Sequence, residues 1–172
     1  PSLDTCGWFA QKPGIMKKVG EVTLKWKVAT KPGQFYLARD AFALVDPSIR
    51  EALLPALDKV SQILGGYNEV DIGSLKGIEN LDGWAKVMRV IRGSEAASSY
   101  LSWIESNNPV MGPGFRERFE SGGKISSEEI RLAKLKRTNM TNYLQEFLAN
   151  GAVIAVPAAP ALPPPVCSAE KI

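Results

Sequence analysis

The chain has 172 residues, of which 45% are hydrophobic and 23% charged, and its formal net charge is +3. These values are typical of a globular domain and give no indication of disorder, and no apolar run approaches the roughly 18 residues that a membrane span requires. The sequence contains no histidine, which excludes Ser-His and Cys-His catalytic pairs and zinc-histidine sites within the chain.

The basic residues are scattered along the sequence, so we expect a solvated surface and no binding to nucleic acid. The two cysteines, Cys6 and Cys167, lie near opposite ends of the sequence without a metal-ligand spacing. This arrangement favours a reducing compartment over a disulfide scaffold. We expect neither a metal nor a cofactor.

The first elements are short. The segment "KKVGEVTLKW" predicts an amphipathic helix, and Pro32-Gly33 predicts a turn after it. The run "QFYLA" is rich in residues that favour strands, and it predicts a strand that ends near Arg39 and Asp40.

A longer helix is predicted from Asp46 onward, with Asp46 or Ser48 as its cap and Gly65-Gly66 as its end. Its apolar residues recur at helical spacing: Ile49, Leu53, Leu57, Val60 and Leu64. Pro55 lies inside this pattern and should bend the helix or delay its start. The segment "NEVDIG" predicts a second strand, and the order strand, helix, strand favours a parallel pair.

Two further helices each carry one charged residue on an apolar stripe. In the segment 80–105 the stripe is formed by Leu81, Trp84, Met88 and Ile91, and it reaches Glu95. A capping box from Ser126 to Glu129 opens the second helix, whose stripe is formed by Ile130, Ala133, Met140, Leu144 and Phe147 and is interrupted by Arg137. An unpaired buried charge is costly, so we predict a structural ion pair between Glu95 and Arg137, in preference to a general-base role for Glu95.

Near the end of the sequence, residues 152–156 predict a short apolar strand that enters a proline-rich run. Such a run is more typical of a chain that crosses a surface than of a PxxP ligand.

Several segments together resemble the amidase-signature family, in the same order and at similar spacing over nearly the whole chain. "PSLDTCGWFA" resembles the segment shortly after the catalytic region of that family, and "FYLARDAFAL" resembles the next strand with its acidic turn. "RVIRGSEAASSYLSWI" is similar to a helix with a Glu and a Trp, "GPGFRERFESGGKIS" to an Arg-rich link, and "AVIAVPAAPALPPP" to a strand that enters a proline-rich segment. The layout most resembles the plant group of indole-3-acetamide amidases and amidase-like chloroplast import receptors.

The resemblance implies an α/β fold in which helices cover a mixed β-sheet, with residues 1–172 as the C-terminal-side portion of a single amidase domain. The family hydrolyses amides with a serine nucleophile, a cis-serine and a lysine base, and those residues lie upstream of the matching segment. We therefore assign no catalytic residue to this chain, and the chain alone should be inactive. The whole protein should hydrolyse a small carboxamide, similar to indole-3-acetamide, to carboxylate and ammonia. The alternative is a non-hydrolytic docking or import receptor with the same fold.

The resemblance also places Asp4, Thr5 and Trp8 in the wall of the substrate pocket, and Arg116 and Arg118 at positions that are basic near an acidic substrate in related subunits. A loop-holding role explains Asp4 better than substrate contact does. Solvated pairing with nearby glutamates is the better explanation for the two arginines.

The chain departs from the family pattern at Gln11-Lys12, Arg39 and Ala158. These departures remove acidic groups and a hydroxyl. Such losses would suit a relative that binds a partner but does not hydrolyse amides. The expected partners are a small-molecule amide and the missing N-terminal half of the domain, whose absence should leave apolar surface exposed; a homodimer stays open. The expected location is the cytoplasm, with a peripheral or separately anchored position at the chloroplast envelope as the alternative.

Overall fold

A computed structural model describes residues 2, 7–24, 32–75 and 78–163. This part of the chain is mixed α/β, as predicted, and most of its residues are helical. The helices are α1 (Pro13–Thr23), α2 (Arg39–Ala43), α3 (Pro47–Leu64), α4 (Leu81–Asn107), α5 (Phe115–Gly123) and α6 (Ser127–Phe147), and the strands are β1 (Phe35–Ala38), β2 (Asn68–Val70) and β3 (Val153–Ala155). A short 3₁₀ turn, Ala149–Gly151, joins α6 to β3.

The three strands form one sheet in the order β2-β1-β3. Both pairings are parallel, and Leu37 in the central strand lies opposite Glu69 on one side and Ala155 on the other. The predicted parallel pair of β1 and β2 is therefore confirmed. The resemblance implied a mixed sheet, whereas every strand pair in the described residues is parallel.

Helices contact both faces of this sheet. Successive side chains of a strand point to opposite faces, so neighbouring residues of β1 meet different helices. Phe35 and Leu37 lie on one face and pack in a core cluster with Leu57 of α3. Tyr36 lies on the other face, where its ring contacts Phe147 of α6 at a centroid distance of 4.8 Å.

Helix α3 begins at Pro47. Proline has no backbone N–H, but in the first turn of a helix this N–H has no helical hydrogen-bond partner in any case. It ends at Gly65, whose φ of 83° is in the left-handed region that glycine adopts without strain. Asp46 is the N-cap residue, but its side chain makes no capping hydrogen bond. The helix is continuous from Pro47 through Pro55, so the prediction that Pro55 delays the start of the helix is wrong.

Helix α4 is the longest element, and it packs against both α5 and α6. Its buried residues are Val87, Ile91, Ser94, Ala97 and Ile104. Val87 and Ile91 join Ala133 and Met140 of α6 in one core cluster. The predicted stripe is wrong at Met88, which is 43% exposed, because a helix between two neighbours buries a wider and rotated face.

The other neighbour, α5, lies in a segment that we interpreted as an Arg-rich link, and that interpretation is wrong. Glycines permit its close approach to α4: a Cβ added to Gly122 would lie 2.3 Å from the carbonyl oxygen of Gly93. Helix α6 begins with the predicted capping box. The Ser126 hydroxyl accepts from the Glu129 N–H at 3.2 Å, and the Glu129 carboxylate accepts from the Ser126 N–H at 3.0 Å.

Several large apolar side chains are exposed to solvent in the described part of the chain. Phe9, Val22 and Ile63 are each more than 80% exposed. Ile91 and Ile104 are the largest fully buried side chains among the described residues. The outer edges of β2 and β3 have no strand partner among the described residues. Unpaired edges and exposed apolar side chains are typical sites of further packing.

Among the helices described, none combines the length and the apolar character that crossing a membrane requires.

Candidate functional site

The carboxyl edge of the sheet carries an acidic residue after each of two neighbouring strands. Asp40 follows β1 closely and Asp71 follows β2 directly. The Asp40 carboxylate accepts hydrogen bonds from the backbone N–H groups of Ala41 at 3.0 Å, Ile72 at 3.1 Å and Gly73 at 2.7 Å. Asp40 therefore holds the segment after β2 against the end of β1, and its oxygens are already engaged.

Gly73 is required at this junction. A Cβ added there would lie 2.9 Å from the Asp40 carboxylate and 2.8 Å from the backbone nitrogen of Leu81. The Trp84 indole N–H also donates to the Gly73 carbonyl oxygen at 2.9 Å. Side chains from α2 and α4 thus converge on a single glycine and fix the loop that lines the edge.

Asp71 forms an ion pair with Arg39, whose Nε donates to Asp71 Oδ1 at 3.0 Å and whose Nη2 donates to Oδ2. This hydrogen bonding and the positive charge of Arg39 hold the pKa of Asp71 below its usual range. Both side chains are substantially exposed, so salt will screen the interaction. Arg39, where the sequence departs from the pattern of the family that it resembles, pairs with Asp71 in the structure.

A small acidic cavity of about 180 Å³ lies beside this edge. Its lining includes Asp40, Asp71, Glu79 and Asp82. The carboxyl ends of parallel strands are a common place for ligand sites. However, the described residues contain no group of His, Cys, Asp and Glu side chains that could hold a metal ion.

Glu95 and Arg137 are brought together by Ser2. The Glu95 carboxylate accepts from the Ser2 N–H and from the Ser2 hydroxyl, both at 2.6 Å, while Arg137 Nη1 donates to the same hydroxyl at 2.5 Å. We expected a direct ion pair between Glu95 and Arg137. The ion pairs of the described residues do not include it. A serine hydroxyl links the two charged groups, and it ties α4 and α6 to the opening segment.

These contacts lower the pKa of Glu95 from its usual value, mainly through the hydrogen bonds from the Ser2 hydroxyl and N–H and to a smaller extent through the charge of Arg137. A general base that works near neutral pH needs a carboxyl pKa that is raised. The direction of the shift therefore opposes a general-base role for Glu95.

The cleft around Ser2 and Glu95 has a volume of about 430 Å³, and its lining also includes Ser94, Ser98, Ser99 and Lys134. The Ser94 hydroxyl donates to the Ile91 carbonyl oxygen at 3.0 Å. Lys134 is exposed, whereas a lysine that acts as a base must be desolvated. Within the described residues this cleft supplies no activated nucleophile.

Trp8, Arg116 and Arg118 are the predicted pocket-wall residues in the described part of the chain, and they make separate contacts. Asp4 and Thr5 lie outside the described residues. Trp8 is half-buried, and its indole N–H is buried without a hydrogen-bond acceptor in the described part of the chain. Arg116 Nη2 donates to Asn108 Oδ1 at 2.8 Å, and Arg118 lies over the Phe115 ring at 5.6 Å, where it lines a separate groove between α4 and α5.

Sequence reasoning missed the roles of Asp40, Asp71 and Ser2. The first two had a usable signal, since each is an acidic residue at the end of a strand in a predicted parallel pair. The role of Ser2 had none, because it depends on a contact 93 residues away along the chain.

Comparison with known proteins gives consistent matches along this chain. It is similar to amidase 1 of Arabidopsis thaliana, with 26% identity over 190 residues, which cover 95% of this chain and 45% of that protein. It is also similar to the chloroplastic outer envelope protein 64 of Arabidopsis thaliana, with 26% identity over 98% of this chain and 33% of that protein. Amidase 1 of rice, Oryza sativa subsp. japonica, is 24% identical over 95% of this chain and 43% of its own length.

The chain spans less than half the length of each of these relatives. No family model matches the chain, and no solved structure matches it significantly.

Proposed function

This chain is related to the amidase-signature family, and from that relationship we propose that it forms one wall of an amidase domain whose catalytic residues lie upstream of it. The whole protein would hydrolyse a small carboxamide, similar to indole-3-acetamide, to a carboxylate and ammonia. The observation that carries this proposal is the similarity to amidase 1, which extends over 95% of the chain.

The structure is compatible with such a wall in two ways. The strands β2 and β3 have outer edges without strand partners in the described part, and apolar side chains such as Phe9 and Ile63 are exposed. Both features suit packing against a further part of the same domain, which would supply strands and cover apolar surface. In the described part of the chain, the cleft around Ser2 and Glu95 supplies no activated nucleophile, so in this proposal hydrolysis requires residues from elsewhere.

In this proposal the acidic residues at the sheet edge act as structural supports. Asp40 fixes the loop after β2 through the backbone N–H groups of Ile72 and Gly73, and the Ser2 hydroxyl links Glu95 to Arg137. Rigid surroundings of this kind keep a catalytic centre in its productive geometry.

The test is a measurement of ammonia release from indole-3-acetamide and from other small carboxamides by the protein expressed from its complete reading frame. We expect hydrolysis, and we expect replacement of the upstream nucleophilic serine by alanine to abolish it. The 172-residue chain alone should release no ammonia. Hydrolysis by that chain alone would contradict the proposal.

The second candidate is a docking receptor that has the amidase fold but no hydrolytic activity. It is favoured by the similarity to an outer envelope protein over 98% of the chain, and the replacement of a family threonine by Ala158 is compatible with it. Under this candidate the whole protein would lack the serine, cis-serine and lysine and would be located at the chloroplast envelope, whereas an amidase would be cytoplasmic.

A further inference from the structure

The groove between α4 and α5 combines an apolar lining with an excess of positive charge. Its volume is about 710 Å³, within the range of roughly 300–1,000 Å³ that is typical of small-molecule sites. Small and apolar residues from both helices form most of the lining: Gly93, Ala96, Phe115, Phe119, Gly122 and Ile125. The close approach of the two helices at Gly93 and Gly122 leaves no room for longer side chains at this position.

The charges at the groove are unbalanced. Arg89, Arg92 and Arg118 line it, with Glu117 as the one acidic residue among the described residues of the lining. None of the three arginines takes part in the ion pairs of the described residues, which involve Lys17, Arg39 and Arg131. Exposed guanidinium groups beside an apolar surface are suited to a ligand that carries a carboxylate on an apolar body.

Aromatic side chains extend this surface. Phe115 is 53% exposed, although it lines the groove, and Arg118 lies over its ring. Phe119 packs edge to face with Tyr100, with ring centroids 6.1 Å apart. Exposed aromatic rings that are held in place by neighbours can stack on a planar ligand at low entropic cost.

We propose that this groove binds an aromatic carboxylate, with its ring against Phe115, Phe119 and Ile125 and its carboxylate against Arg89 and Arg92. The groove is formed by residues of α4, α5 and the turn after α5. One of them, Arg118, is a predicted residue of the substrate-pocket wall, so ligand binding is tested separately from hydrolysis.

The probe is 2-naphthoate, and its neutral analogue 2-naphthamide is the matched ligand control. Binding to the 172-residue chain is measured by fluorescence titration and by the chemical shifts of the Gly93 and Gly122 amides. We expect 2-naphthoate to bind about tenfold more tightly than 2-naphthamide, because charge-assisted hydrogen bonds favour the carboxylate. Its affinity should fall as salt is added.

The variant Arg89→Gln/Arg92→Gln should weaken 2-naphthoate binding about tenfold and leave 2-naphthamide binding unchanged. Lys59→Gln is the control, because it removes a positive charge from the exposed surface of α3. Circular dichroism establishes that each variant is folded.

Three results would overturn the proposal: equal affinity for the two ligands, equal loss of binding in the Lys59 control, or chemical-shift changes away from Gly93 and Gly122. Binding of an acidic amphipathic peptide without binding of 2-naphthoate would also overturn it, in favour of a protein partner. Because none of these readouts uses amide hydrolysis, the result is independent of the test of the proposed function.

Discussion

Replacement of Gly122 by alanine tests the contact between α4 and α5. In the structure the new Cβ would lie 2.3 Å from the Gly93 carbonyl oxygen, 2.8 Å from the Gly93 carbonyl carbon and 3.2 Å from the Ala97 Cβ. Two of these three atoms belong to the backbone of α4, so a side-chain rotation cannot relieve the overlap. The helices must move apart, or α5 must shift.

The magnitude follows from two opposing effects. Overpacking of a close contact costs about 1–3 kcal/mol, whereas alanine in place of glycine in a helix gains at most about 1 kcal/mol. Gly122 lies in the last turn of α5, where the gain is smaller. We therefore expect the free energy of unfolding to fall by about 1–2 kcal/mol, which corresponds to a decrease in Tm of about 2–8 °C.

The matched control is Gly14→Ala in α1. A Cβ added at Gly14 meets no atom within 4 Å, so this variant should be unchanged or up to about 1 kcal/mol more stable. Both variants are measured by urea unfolding, followed by tryptophan fluorescence and far-UV circular dichroism. If Gly122→Ala is as stable as the parent chain while Gly14→Ala behaves as expected, the close α4–α5 contact is refuted.

Three further predictions concern the core, a helix cap and pH. Ile91→Ala should lower the free energy of unfolding by about 2–5 kcal/mol, because Ile91 is completely buried. Met88 is exposed, so Met88→Ala should change the free energy of unfolding by no more than about 0.5 kcal/mol. Thermal unfolding measures both variants. Ser126→Ala removes the capping acceptor at the start of α6 and should cost about 1 kcal/mol, measured by urea unfolding with Thr at this position as the conservative control. The lowered pKa of Glu95 should contribute stability that is fully present above its ordinary pKa of 4.5 and is lost as the pH falls through the lower folded pKa. Ser2→Ala should weaken this acid dependence of the free energy of unfolding, measured by unfolding at a series of pH values. An unchanged pH profile would contradict the link that Ser2 makes between Glu95 and Arg137.

Features that depend on local chemistry were predictable from the sequence. The strand β1, the helix α3 and the capping box at Ser126 follow from residue types and spacings within a few positions of each other. The end of α3 at Gly65 was also predictable, because glycine adopts the left-handed conformation there.

Features that depend on neighbouring elements were not predictable in the same way. Helix α5 has glycines near both ends and little apolar periodicity, so it was interpreted as a link; its packing on α4 stabilises it as a helix. The buried face of α4 was misplaced at Met88, because it is set by two neighbours rather than by one stripe.

The candidate site shows the same division. The sequence predicted that Glu95 and Arg137 belong together, since each is a charge on an otherwise apolar stripe, but it did not predict that Ser2 links them. Two of the three hydrogen bonds to Asp40 likewise depend on a loop more than 30 residues later in the chain.

Under the two proposals, the amidase and receptor candidates would differ in residues upstream of this chain, so the location of the nucleophile is the decisive question. An activated serine reacts with a sulfonyl fluoride, whereas an ordinary surface serine does not. The most direct measurement is to treat the protein from its complete reading frame with phenylmethanesulfonyl fluoride and to identify the modified serine by peptide mass spectrometry. We expect one labelled serine upstream of these 172 residues and none within them. Labelling of a serine within the chain would contradict the proposed position of the nucleophile.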